Sequence, residues 1–139
     1  MKLTGECYCG ALRYEAGGRP LLKAQCHCRE CQYLSGGGPN YFMLMPDEAF
    51  AYTRGTPKTF RRTDIPDAVT REFCEICGTH IITRRTDQTA LVLKVGTLDD
   101  TERFDQPVMA IFACDRQSFH HVADDIPVYD RLPPRPGKD

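Results

Sequence analysis

Positive charge is not in excess in this chain. Lys plus Arg number 18 against 19 Asp plus Glu, a formal net charge of −1. A reader of nucleic acid needs a basic stripe interleaved with aromatic residues, and without one general nucleic-acid binding is disfavoured. Long apolar runs are also missing: none approaches the ~20 residues of a membrane span. The first residues, Met1 to Cys7, hold no apolar core of secretory-signal length, so the expected address is cytoplasmic and no membrane partner is expected. No segment keeps a helical period for three turns, and there is no domain boundary, low-complexity tract or long internal repeat. What remains is a 139-residue chain with 27% charged and 41% apolar residues, the profile of one folded domain over 1–139. Its core is expected over about residues 3–130. The Pro-rich tail, 131–139, cannot continue a ladder and is expected to lie over the surface.

Short strands between turns account for most of the pattern. Polar and apolar residues alternate over Ala11–Glu15 and Thr59–Arg62, and β-branched or aromatic residues concentrate at Tyr41–Met45, His80–Thr83, Ala90–Val95 and Val108–Ala113. Gly17-Gly18, Gly36–Pro39, Gly55–Pro57 and Ile65–Asp67 read as the turns between them. Only Arg29–Leu34 reads as helix. The prediction is a mainly β, single-domain fold, antiparallel because the connections are short.

Eight cysteines carry the chemistry. A chain of this length buries a core without disulfide staples, and clustered cysteines in a reducing compartment bind metal. Two clusters, Cys7-Tyr8-Cys9-Gly10 and Cys74-Glu75-Ile76-Cys77-Gly78, both end in a Cys-Gly step. A metal-binding turn curls its amides toward the thiolates, and glycine reaches the positive φ this requires without a Cβ clash. Together they make a closed four-thiolate site of Cys7, Cys9, Cys74 and Cys77, suited to structural zinc, although iron also fits. The uninteresting alternative is four unligated core cysteines.

The third cluster, Cys26-His27-Cys28-Arg29-Glu30-Cys31, offers three thiols and no following glycine. Three protein ligands leave tetrahedral zinc one free position for water or a substrate thiol, the layout of a catalytic site. A coordinated thiol is held as thiolate and so becomes a nucleophile at neutral pH. Two other readings stand beside this one. Cys114, His80, His120 or His121 would close the site as a fourth ligand, or the three cysteines are metal-free redox thiols. His27, between two proposed ligands, is expected to point away from the ion. It reads as a solvated turn histidine, or alternatively as a group that orients substrate or donates a proton. His120-His121 reads as surface or packing, and Cys114 as a small buried residue. Thiolates around two zincs would make the chain more negative still, further from a nucleic-acid partner.

These motifs resemble the glutathione-dependent formaldehyde-activating enzyme family, also known as the centromere protein V domain family. The likeness rests on Gly5-Glu6-Cys7-Tyr8-Cys9-Gly10, on Cys26–Cys31 with Gly36 beyond, and on Phe73–Thr79, with Val95–Asp100 and Asp124–Tyr129 as later landmarks. It covers about residues 3–130. The resemblance implies a β-tent fold of antiparallel sheets built around zinc. It implies two zinc ions per chain, a structural one on Cys7, Cys9, Cys74 and Cys77 and a catalytic one on Cys26, Cys28 and Cys31. It further implies a carbon–sulfur lyase of the S-(hydroxymethyl)glutathione synthase kind, adding the glutathione thiol to formaldehyde. Many relatives carry a tryptophan near the C-terminal strand, whereas this chain has none and places Phe119-His120 there.

Glutathione carries two carboxylates, so Arg29, Arg61, Arg62, Arg71, Arg84 and Arg85, or amides of Ser35–Gly38, are candidates to receive them; each reads as well as a solvated face or plain turn. Asp99-Asp100 reads as a strand-ending turn. A non-catalytic zinc-stabilised binding module and a thiol redox sensor are the competing functions. Exposed strand edges would suit a homodimer.

Overall fold

The computed structural model describes residues 2–86 and 89–134. Among these residues there are ten strands, one α-helix and four 3-10 turns, so the mainly β expectation holds. The chain forms two compact units: one from residues up to Leu22 together with Met43–Asp105, the other from Lys23–Phe42 together with the residues from Gln106 on. No helix among the described residues is long and apolar enough to cross a membrane.

The first unit contains β1 (Lys2–Glu6), β2 (Arg13–Gly17) and β5 (Phe50–Arg54), an antiparallel sheet in the order β1-β2-β5. Alternate residues of β1 and β2 are buried, as a one-sided sheet requires: Leu3, Tyr14 and Ala16 enter the core with Met43, Met45, Ile81, Leu91 and Leu93. A second antiparallel ladder runs through β6 (Lys58–Arg61), β7 (Thr70–Phe73), β8 (His80–Arg84) and β9 (Ala90–Lys94). Glu72 of β7 is 8% exposed yet charged, and its carboxylate accepts from the Tyr52 hydroxyl at 2.9 Å and from Arg84 Nε at 2.6 Å. Arg84 also reaches Asp47. A buried carboxylate persists only when paired in this way.

Gly5 lies opposite Tyr14 in the β1–β2 register. The Tyr14 hydroxyl bonds Thr97 Oγ1 at 2.8 Å, and the Thr97 hydroxyl donates to the Lys94 carbonyl at 2.7 Å. A Cβ on residue 5 would sit 2.2 Å from Tyr14 Oη and 2.3 Å from the Thr97 carbonyl oxygen. Gly5→Ala is therefore expected to destabilise the fold by about 2 kcal/mol or more, the cost of forcing a methyl into a filled core. Urea denaturation would show a lowered midpoint with an unchanged slope.

The second unit is built on β3 (Leu22–Cys26), whose partner is β10 (Met109–Ile111). This pair is parallel, which corrects the expectation of antiparallel pairing throughout. The two strands are far apart in sequence, and only a long connection allows two strands to run the same way. The helix α1 (Arg29–Ser35) follows the cysteine loop as predicted and ends at Gly36, in left-handed backbone with φ +84°. The remaining strand, β4 (Asn40–Pro46), spans the division between the units at Met43. Arg131–Pro134 of the proline-rich tail are described, and residues 135–139 lie outside the described residues.

Candidate metal centres

The two Cys-Gly turns have the same construction. In the first, the Cys7 N–H donates to the Leu12 carbonyl at 3.1 Å and Gly10 donates back to the Cys7 carbonyl at 3.1 Å. In the second, Cys74 donates to the Thr79 carbonyl at 2.9 Å and Gly78 to the Cys74 carbonyl at 2.8 Å. Gly10 and Gly78 have φ of +81° and +79°, the left-handed backbone predicted for both positions. Thr79 joins the turns: its Oγ1 accepts from the Tyr8 N–H at 3.1 Å and lies 3.2 Å from Cys77 Sγ.

All four sulfurs converge, every pair within 4.8 Å, and all four cysteines are free of disulfides. Cys7 and Cys74 are buried in the first unit's core. The thiols pull one another's ionisation apart. The Thr79 hydroxyl, with further help from nearby amides, brings Cys77 down to about 5. An Ala11 amide favours the Cys9 thiolate, but burial and the three neighbouring sulfurs outweigh it and push Cys9 up to about 11. Burial opposes ionisation of Cys7, yet the Leu12 amide, 3.2 Å from its sulfur, and neighbouring thiols hold it below the usual range. A cluster that ionises in steps can carry four thiolates at once only around a cation, which is the fit expected of a tetrahedral dication site.

The second group is Cys26, Cys28 and Cys31, again with every sulfur pair within 4.8 Å. Each comes from a different local structure. Cys26 ends β3, Cys28 is the N-cap of α1, and Cys31 lies in the first helical turn. The Cys28 sulfur accepts the Cys31 N–H at 3.3 Å, so the cap itself brings two of the three thiols together. Bonds to Cys28 and Cys31, then burial, push the Cys26 thiol strongly up, so this trio also needs a cation to hold all three thiolates.

No fourth His, Cys, Asp or Glu joins this trio among the described residues. His80 begins β8 and stacks on Phe73, with ring centroids 5.2 Å apart. His121 is exposed, and His120 is engaged elsewhere. Cys114 is exposed, which corrects its reading as a buried residue: the β10 strand ends at Ile111 and Cys114 sits on a 3-10 turn. Its neighbour Asp115 is the residue that touches the loop, accepting the Arg29 N–H at 3.2 Å.

His27 is not a solvated histidine. It is 0% exposed, and its Nδ1 lies 3.0 Å from Nδ1 of His120, itself 4% exposed. Burial, the facing His120 and Arg116 lower its pKa. This contact was out of reach of sequence reasoning, because the partner lies far along the chain and neither histidine has metal-pair spacing. The two neighbours at this position differ, since Phe119 is 64% exposed while His120 is buried.

Most candidate arginines have internal partners. Arg29 donates to Gln32 Oε1 at 2.5 Å and lies over the Tyr33 ring; Arg62 pairs with Asp64, Arg71 reaches Thr83, and Arg84 serves Glu72. Arg61 and Arg85 are exposed. Asp99 is more than a turn residue: Arg13 Nη2 donates to it at 2.6 Å and the Thr4 hydroxyl at 2.7 Å.

A solved structure of a Rhodobacter sphaeroides protein resembles this one with a TM-score of 0.57 and 19% sequence identity, covering 69% of this chain and 87% of that one. At that identity the likeness concerns the fold alone. No curated protein matches the chain. A family model does, described as glutathione-dependent formaldehyde-activating enzyme and matching residues 2–115, the stretch that includes both cysteine groups. With that match over most of its length, the chain belongs to the glutathione-dependent formaldehyde-activating enzyme family.

Proposed function

We propose that this protein is a zinc enzyme with two ions per chain, of the carbon–sulfur lyase class, acting on the adduct of a thiol, glutathione above all, with formaldehyde or another small aldehyde. The observation that carries this reading is the contrast between the two groups. Cys7, Cys9, Cys74 and Cys77 supply the four ligands a tetrahedral ion takes, whereas Cys26, Cys28 and Cys31 supply three with no fourth protein ligand among the described residues. A binding module held together by metal has no use for a vacant position.

In the reaction the thiol sulfur attacks the aldehyde carbon, the π pair moves to oxygen, and the thiol proton ends on that oxygen to give the S-hydroxymethyl product. Zinc in the second group would supply Lewis acidity and would favour a sulfur anion at neutral pH. The protein's own contribution is to hold the three thiols in place. Cys26 is fixed by pairing of β3 with β10, and Cys28 and Cys31 by the helix cap. With the reactants gathered beside this trio, a bimolecular addition becomes effectively intramolecular. Among the candidates for a thiol's carboxylates, Arg29, Arg61, Arg62 and Arg85 are exposed.

The test begins with elemental mass spectrometry on protein purified without chelator. It continues with carbon-13 exchange NMR of formaldehyde and glutathione. Two zincs per chain and faster adduct exchange are expected. One zinc, or exchange no faster than without protein, overturns the proposal and favours a zinc-stabilised binding module. Release of zinc with a Cys26–Cys31 or Cys28–Cys31 disulfide under mild peroxide would favour a redox sensor.

A further inference from the structure

The buried histidines of the second unit sit in a chain of hydrogen bonds whose direction is fixed at both ends. At one end His120 Nε2 lies 2.7 Å from the Gly37 carbonyl oxygen, which can only accept, so Nε2 carries a hydrogen. The Gln117 backbone N–H, which can only donate, points at His120 Nδ1 at 3.2 Å, so that nitrogen is bare. His27 Nδ1, 3.0 Å from the same bare nitrogen, must then be the donor. At the far end the Gln25 side-chain amide donates to His27 Nε2 at 3.0 Å, which leaves that nitrogen bare too. These partners place the ring hydrogens on Nδ1 of His27 and Nε2 of His120. Every ring nitrogen has a partner, and the one lone pair of His120 Nδ1 is shared between two donors, His27 and Gln117.

The chain of bonds ends on a carbonyl, which cannot take a proton onward. His27 is therefore placed neither as a general acid nor as a relay. Its main chain is tied down as firmly as its ring: its N–H donates to the Ile111 carbonyl at 3.0 Å, and its own carbonyl accepts from Gln32 Nε2 at 2.8 Å. The same Gln32 amide reaches the Asp115 carbonyl at 2.9 Å, and Gln32 Oε1 accepts from Gln117 at 3.1 Å. The residue between Cys26 and Cys28 thus has all four of its polar groups engaged, and the direction each flanking cysteine leaves the backbone is set by it.

We propose that His27 and His120, hydrogen-bonded in this way, are positioning residues that preorganise the Cys26–Cys28–Cys31 trio for its metal and tie the Gly37 loop to it. This assignment rests on the three-cysteine metal site proposed above. Residues that orient ligands are worth about 10–100-fold in metal affinity, and that is the size of effect expected here.

The experiment uses the zinc-loaded full-length protein. In a chelator challenge, zinc should leave in two phases, and Cys31→Ser identifies the phase that belongs to the trio by abolishing it. His120→Leu should release that zinc about tenfold faster or more while the other phase is unchanged, and His120→Gln, which can both accept and donate, should recover much of the loss. Long-range proton–nitrogen NMR of the wild type provides a readout that needs no variant to fold: it should show His27 protonated at Nδ1 and His120 at Nε2. Equal release from wild type and His120→Leu, or His27 found with its proton on Nε2, overturns the positioning role alone. Absence of any phase sensitive to Cys31→Ser overturns the metal site and this role with it.

Discussion

Cys74→Ser is expected to yield a chain that does not fold. Cys74 is 2% exposed and belongs to the same core cluster as Cys7, Tyr14, Ile81 and Leu93, so the thiolate group is part of the first unit's packing. Structural zinc sites contribute about 10–16 kcal/mol of apparent binding free energy, whereas the net stability of a whole domain is only about 5–15 kcal/mol. Losing one of four ligands also leaves Cys7, Cys9 and Cys77 to crowd a site where they cannot all ionise, given the opposed shifts of Cys9 and Cys77. The variant should lose the cooperative thermal transition and its near-ultraviolet circular dichroism, and a chelator should do the same to the wild type. A variant that melts as the wild type does would show that this group is not what holds the fold.

Cys31→Ser should behave in the opposite way. Its N–H still caps onto Cys28, serine replaces the thiol with little change of volume, and β3 and β10 are untouched. Fold and melting temperature should stay close to wild type while one zinc per chain is lost. Adduct exchange should fall by about 10³-fold, since Lewis-acid stabilisation is worth several kcal/mol and each 1.36 kcal/mol is about tenfold in rate. Measuring the zinc content and the exchange rate on the same sample decides the matter. If Cys31→Ser keeps its rate, the trio is not the reacting centre. If it unfolds as Cys74→Ser does, the division into structural and reacting sites fails.

Both cysteine groups were legible in the sequence because their information is local: spacing selects the ligands, and the glycines at 10 and 78 announce the turns. The strands β4, β8 and β9 were legible for a similar reason, as their buried apolar residues form short continuous runs. Strands β1, β3, β5 and β7 were not. Each mixes charged or small residues into a short run, and in β7 the buried member is Glu72, whose burial depends on Tyr52 and Arg84 from other strands. The parallel run of β3 with β10 and the meeting of His27 with His120 share that obscurity. They join segments distant in sequence, and no periodicity within either segment encodes the other. Cys114 misled for the converse reason: an apolar run predicts burial only while the strand lasts, and this one stops at Ile111.

The four-cysteine group also has a consequence for how the chain is made. Its first two ligands leave the ribosome well before its last two. At about 5–20 residues per second, Cys7 and Cys9 wait roughly 3–14 s for Cys77 to appear. During that interval the three thiols of Cys26, Cys28 and Cys31 have already emerged, since they lie within one strand end and one helical turn, whereas β10 and His120, which hold them in place, have not. The thiols of the trio can thus meet metal before all four thiols of the other group have emerged, and they must keep it until β10 and His120 arrive. Growth in scarce zinc or under oxidant should therefore damage nascent chains, whose first two thiols stand unprotected, more than finished ones.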